Sequence, residues 1–157
     1  MRVYLAGPMT GIPQFNYPAF IAMADRLRAS DFDVVSPAEL DDPDDRAAAL
    51  ASPDGRMLAY TEGTGKTWGD FLSRDVKLLS DNGIKAVVVL PGWQQSRGAR
   101  LETFVANAMC GLPIYWVSYA LDGSIRLRPV KSIDLYRAWT GERDLFLSAT
   151  FGAAVPA

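Results

Sequence analysis

Short β-rich apolar runs alternate with helical patterns along most of this chain. RVYLAG is stopped by Gly7-Pro8 and reads as a first strand. In NYPAFIAMADRLRAS, residues Phe20, Met23, Ala24 and Leu27 recur at helical spacing, with Asn16 placed to cap and Pro18 in the first turn. FDVVSP reads as the second strand. WGDFLSRDVKLLSDNG carries Phe71, Leu72, Val76 and Leu79 on one face and stops at Gly83, a second amphipathic helix. KAVVVLPG is almost continuously β-branched, as a strand buried on both faces should be. A third helix over SRGARLETFVANAM and a strand in PIYWVSY follow. Strands alternating with helices predict an α/β domain with a parallel sheet and helices on both faces.

Two stretches break this rhythm. Residues 41–67 form a long polar excursion, predicted to hold one short helix around Arg46 to Leu50. Excursions of that length in compact domains are usually lids or disordered. The C-terminal part predicts a hairpin at Asp122-Gly123 and then a short helix, with a small-residue tail over 148–157 expected to fray. No repeat or linker divides the chain, so all 157 residues read as one domain.

Composition narrows the class. Sixteen basic and eighteen acidic residues leave a net charge of −2, which gives no bias toward a nucleic acid polymer. The single cysteine, Cys110, excludes an internal disulfide framework and suits a reducing, cytoplasmic setting. No apolar run reaches the roughly 18 residues of a membrane span, and no secretory leader pattern opens the chain. Histidine is absent altogether, which removes His-based triads, His-containing metal sites and the commonest general base. Neither metal nor cofactor is expected.

Two motifs carry candidate chemistry. GTGKT at 63–67 invites a phosphate-loop reading, but the required first glycine is Tyr60 and no buried strand precedes it, so a polar loop is the better reading. Glu102 is placed in the first turn of the third helix. At about 100° per residue, Leu101, Phe104, Val105, Ala108, Met109 and Leu112 form a continuous apolar arc, and Glu102 sits at its margin. By pattern alone, a surface acid favoured by the helix dipole is the better reading. Its location favours a reactive group instead, because ligands of parallel α/β sheets bind beyond the carboxyl ends of the strands.

Here the residues meet a family. YLAGPMTG, FLSRD and SRGARLE resemble the nucleoside 2-deoxyribosyltransferase superfamily, which includes 2'-deoxynucleoside 5'-monophosphate N-hydrolases and cytidylate N-hydrolases. The resemblance runs from about Arg2 to Tyr115. It implies a flavodoxin-like sheet of five parallel strands and a homodimer or larger homo-oligomer. It also implies a nucleoside or nucleotide ligand and cleavage of its N-glycosidic bond by hydrolysis or base transfer. Glu102 matches the nucleophile, and Asp75 the acid that holds the sugar hydroxyls and assists departure of the base. Gly7 and Pro8 match the loop shaping the sugar pocket, Tyr17 an aromatic near the nucleophile, and Ser96, followed by Arg97 and Gly98, a phosphate-binding serine loop. Asp81 falls near a further family acid, with a plain helix-end role equally open.

That chemistry needs two carboxylates and no histidine. A carboxylate beside the anomeric carbon stabilises the developing positive charge and can capture the sugar covalently. The chain departs from the pattern in carrying Arg97 and Arg100 between the loop and the glutamate. Forked guanidinium donors there suit a 5'-phosphate, although solvent or pairing with Asp70 would also satisfy them. Tyr60, Lys66 and Trp68 of the excursion could cover the site or contact a second subunit. Two rival readings remain: a nucleotide-binding module without turnover, and a structural oligomer built on Tyr136, Trp139 and Phe146.

Overall fold

The computed structural model describes residues 1–81 and 83–141, with backbone alone at 58 and 59. Along the chain run β1 (Arg2–Ala6), α1 (Tyr17–Arg28), β2 (Asp33–Val35), α2 (Pro37–Leu40), α3 (Pro43–Ala51), α4 (Met57–Thr64) and α5 (Trp68–Leu79). Then come β3 (Ala86–Val89), α6 (Arg97–Phe104), continued by a π-helical turn over Val105–Met109, β4 (Ile114–Tyr119), β5 (Ile125–Pro129) and α7 (Ser132–Thr140). The expected fraying tail at 148–157, and Phe146, lie outside the described residues.

The strands form one sheet in the order β2-β1-β3-β4-β5, the flavodoxin-like arrangement. β1 pairs in parallel with both β2 and β3, and β3 in parallel with β4. β5 is antiparallel to β4, with Tyr119 opposite Ile125 and Tyr115 opposite Pro129, which corrects the expectation of a wholly parallel sheet. The reason is the connection. Asp122 accepts from the Ser124 backbone and hydroxyl, and Gly123 takes a left-handed φ of 80°, closing the hairpin read in the sequence. A parallel return needs a crossover of about a dozen residues, and no such length separates the two strands.

Alternation in β1 builds a core on each face. Val3 and Leu5 pack with Phe20, Ala24 and Leu27 of α1, whereas Tyr4 and Ala6 face Trp93, Ala99 and Ala106 on the α6 side. β3 is buried along its whole length, as its unbroken β-branched run predicts. Each such valine adds roughly 1.5–3 kcal/mol relative to an exposed one. Because β2 and β3 flank β1, the chain leaves the sheet centre in opposite directions, opening a crevice beyond the carboxyl ends of β1 and β3.

The 41–67 excursion is more ordered than expected. It holds α3 and α4, and α3 starts from an Asp42 cap accepting from the Asp45 amide at 2.9 Å. The excursion is tied to the loop after β1 by Gly11 N–H to Gly55 O at 2.9 Å and Gln14 N–H to Ser52 O at 2.8 Å. Gly55 has a φ of 65°, and a Cβ there would meet the Ile12 carbonyl oxygen at 2.1 Å, so this joint requires glycine. The GTGKT stretch ends α4 at a left-handed Gly65 and caps α5 through Thr67, which shares a capping box with Asp70. Lys66 pairs with Asp42 and Asp45. Among the described residues Asp70 is thus engaged by its own helix end and not by an arginine.

Candidate functional site

A cavity of about 640 Å³ occupies the crevice beyond β1 and β3. Gly7 and Pro8 line it from the loop after β1, Asp75 from α5, and Ser96, Arg97, Gly98 and Glu102 from the loop after β3 and α6. Gly7 is needed for space and not for an unusual φ. A Cβ there would lie 2.8 Å from the Leu90 side chain and 3.1 Å from the Phe20 ring, so a larger residue would push α1 and β3 apart.

Glu102 is 7% exposed, which rules out the surface-acid reading. It is the sixth residue of α6, which begins at Arg97, so it lies past the first turn. Of the predicted apolar arc, Val105 and Leu112 pack against the core, but the rest is turned outward. Ala99, Glu102, Thr103 and Ala106 face the sheet, while Leu101, Phe104 and Met109 are outside, Phe104 at 40% and Met109 at 71% exposure. Small side chains bring the helix close to β1, and that proximity lets Tyr4 reach Glu102. The Tyr4 hydroxyl donates to Glu102 Oε1 at 2.7 Å, within the sheet's own core. Burial, with the nearby Asp75 charge adding to it, pushes the Glu102 carboxyl up to about 8. The Tyr4 hydrogen bond and Arg74 oppose this without cancelling it.

Asp75 follows the spacing of the buried face of α5, four residues after Phe71 and four before Leu79. Its carboxyl is also raised by burial, against the pull of Arg74. Arg74 Nε donates to Asp75 Oδ1 at 2.9 Å, and Arg74 Nη1 donates to Asp41 Oδ1. The Tyr17 hydroxyl donates to the other oxygen of Asp41. Tyr17 therefore serves Asp41, and the aromatic residue on Glu102 is Tyr4. Burial first, then Glu102 and Asp75, hold the Tyr4 phenol well above its ordinary range.

The other end of the cavity is cationic. Ser96 caps α6, its hydroxyl accepting from the Ala99 amide at 3.3 Å. Arg97 is exposed, with its guanidinium 5.4 Å from the centre of the Trp68 ring, and both line the cavity. Arg100 does not join them. It lies two residues before Glu102, about 200° round the helix, and its Nη2 donates to the Trp139 carbonyl at 3.0 Å. Arg100 is withdrawn from the candidate ligand set and instead ties α6 to α7. Lys66 and Asp81 are also outside the cavity lining.

The excursion supplies the remaining wall. Ala49, Met57 and Tyr60 line the cavity opposite α6, and the Tyr60 ring packs edge-on against Phe15 and Phe71. Phe15 is held there by a turn in which Gln14, Phe15 and Asn16 all take left-handed φ values, 56°, 48° and 60°. Such conformations cost roughly 1–2 kcal/mol per non-glycine residue. The Asn16 side chain donates to the Pro8 carbonyl at 2.8 Å and offsets part of this.

Sequence reading missed Tyr4, Arg74 and Asp41. Tyr4 had a visible signal, a phenol alternating with Val3 and Leu5 in a buried strand that ends at the crevice. Arg74 had one in its place beside Asp75. Asp41 had none, because only the folded excursion brings it there. Among the described residues no group of three or more His, Cys, Asp or Glu side chains is arranged to hold a metal ion, and no helix is long and apolar enough to cross a membrane.

The sheet order and the crevice define a flavodoxin-like α/β protein with an acidic pair at its topological switch point. Residues 1–116 match the family described as Domain of unknown function (DUF4406), and the chain belongs to that family. No curated protein and no solved structure matches it significantly.

Proposed function

We propose that this chain is an N-glycosidase resembling the nucleoside 2-deoxyribosyltransferase superfamily. Its substrate would be a nucleoside 5'-monophosphate or nucleoside, with ribose or deoxyribose, cleaved at the base–sugar bond by hydrolysis or base exchange. The observation that carries this reading is Glu102, a carboxyl buried at the cavity floor, hydrogen-bonded by Tyr4 and electrostatically coupled to Asp75. A carboxylate so placed can bond to the anomeric carbon as the base departs, and Asp75 can hold the sugar hydroxyls.

The reaction needs ionised Glu102, whereas burial holds its proton up to about pH 8. Activity on free enzyme, read as kcat/KM, therefore rises with pH through that region. The rival reading, a nucleotide-binding module without turnover, draws on the same retained proton. Incubation with a panel of nucleosides and monophosphates, with and without an acceptor base, separates the two by chromatography. Release of free base is the expected result, and ligand binding without it would leave only the binder.

Ser96, Arg97 and the start of α6 suit a 5'-phosphate, since unpaired amides and a nearby guanidinium favour an anion. Monophosphates should be turned over in preference to nucleosides, with the preference weakened by salt and by Arg97→Ala. Equal turnover of both would remove the phosphate role from Ser96 and Arg97. The homo-oligomer reading is supported by the outward face of Leu101, Phe104 and Met109, and by the half-exposed Tyr136 of α7. Sedimentation of the wild type against Met109→Glu tests it, a lighter species in the variant being expected.

A further inference from the structure

The polar side chains of the cavity form a row, and the row continues past the acidic pair. From Glu102 and Asp75, joined behind the cavity lining by the buried Tyr4, it passes to Arg74, then to Asp41 and Tyr17. If the glycosidase reading holds, the sugar lies between Glu102 and Asp75. The phosphate lies toward Ser96 and Arg97, at the start of α6. The remaining direction leads to Arg74, and the base belongs there, beside the rings of Tyr60 and Phe71 that line the same space.

Arg74 is more than a clasp between two aspartates. A guanidinium carries five N–H donors. Nε is used on Asp75 and Nη1 on Asp41, but among the described residues no hydrogen-bond partner engages Nη2. The side chain lines the cavity and is 29% exposed, so this donor is open to a ligand. Its plane is fixed from three sides, by the two carboxylates and by the Phe71 ring, 5.5 Å from the guanidinium carbon. A preorganised cation aimed at the place where charge develops is what stabilises a leaving group.

We propose that Arg74 is a further catalytic residue, whose guanidinium meets the departing base and favours pyrimidines carrying a carbonyl oxygen beside the glycosidic nitrogen. The inference rests on the glycosidase reading. As a Glu102 oxygen bonds to the anomeric carbon, the carbon–nitrogen bond breaks and its electron pair passes to the base. In a pyrimidine that pair spreads onto the adjacent carbonyl oxygen, which accepts from Arg74 Nη2. The base anion takes a proton from Asp75, and Asp75 then takes one from the water that cleaves the sugar–Glu102 ester, returning the Glu102 carboxylate. Purines depend less on this donor, because they depart after protonation on the far side of the ring system.

The test compares turnover of uridine, thymidine and 5-fluorouridine 5'-monophosphates, and of a purine monophosphate, by wild type, Arg74→Gln and the double variant Asp41→Asn/Arg74→Gln. Arg74→Gln should lose about 100-fold on the uracil and thymine substrates. The loss should be smaller on 5-fluorouracil, a better leaving group, and on the purine. The double variant restores the charge balance that supports folding, and it should remain equally slow. A loss that is uniform across bases, or recovery of turnover in the double variant, would overturn the proposal and leave Arg74 as a holder of Asp75 and Asp41. Turnover by none of the proteins, wild type included, would sink the glycosidase reading and this inference together.

Discussion

Glu102→Gln is expected to abolish turnover by orders of magnitude while the ligand still binds and the protein becomes more stable at alkaline pH. The exchange keeps the side chain's shape and its contact with Tyr4 but removes the group that must bond to the sugar. The stability effect follows from burial. Glu102 has a folded-state value of about 8 against an ordinary 4.5, so between these the native state binds a proton that the unfolded chain has lost. Stability contributed by that proton is complete below the lower value, falls as pH rises through the window and is gone above about 8. The loss is on the order of a few kcal/mol. The glutamine variant has no such slope. Denaturant unfolding of both proteins at pH 5 and pH 9, beside calorimetric titration with a monophosphate, reads out both claims. Full activity in the variant would end the nucleophile assignment, and a pH slope identical to wild type would end the buried-acid argument.

The second large effect is expected at Asp75. Asp75→Asn should lower turnover by about 10² to 10⁴, because an amide holds the sugar hydroxyls less well and offers no acid. It should also move the pH dependence in a direction set by charge. Asp75 helps to raise Glu102, so the neutral amide lets Glu102 ionise at lower pH, and the rising limb of kcat/KM shifts to acid. An Asp75 whose charge is not felt at Glu102 would lower activity without moving that limb. Pre-steady-state turnover from pH 5 to pH 9 on both proteins distinguishes the cases, and an unmoved or alkaline-shifted limb would contradict the assignment.

How much of this site was legible depends on the residue. Asp75 could be placed because it keeps the four-residue spacing of Phe71 and Leu79 on a helix whose bulky side chains do face inward. The same rule misread α6. The apolar spacing predicts Leu101, Phe104 and Met109 on its core side, whereas the sheet receives Ala99, Thr103 and Ala106. Periodicity reports which residues share a face, not which face a neighbour will cover. Here close approach to β1 selects small side chains, and the larger ones are left to α7 and the exterior, Phe104 meeting Trp139 with ring centres 5.3 Å apart. Arg100 reads as a phosphate ligand from its place between the loop and Glu102, but about 200° round the helix its guanidinium meets the Trp139 carbonyl instead.

The sequence by itself determined the alternation of strands and helices, the hairpin at Asp122-Gly123 and the arrival of the loops after β1 and β3 at one edge of the sheet. These follow from side-chain periodicity, turn residues and β-branched runs, all of which act over a few neighbouring residues. The folding of the excursion into a cavity wall, the burial of Glu102 and the row from Tyr4 to Asp41 were decided only by tertiary structure. Each depends on groups far apart in the chain, as Tyr4 and Glu102 are at 98 residues' separation, and on the low-dielectric space they share. No local pattern carries that distance, and burial, which raises the Glu102 carboxyl, exists only once the chain has closed around it.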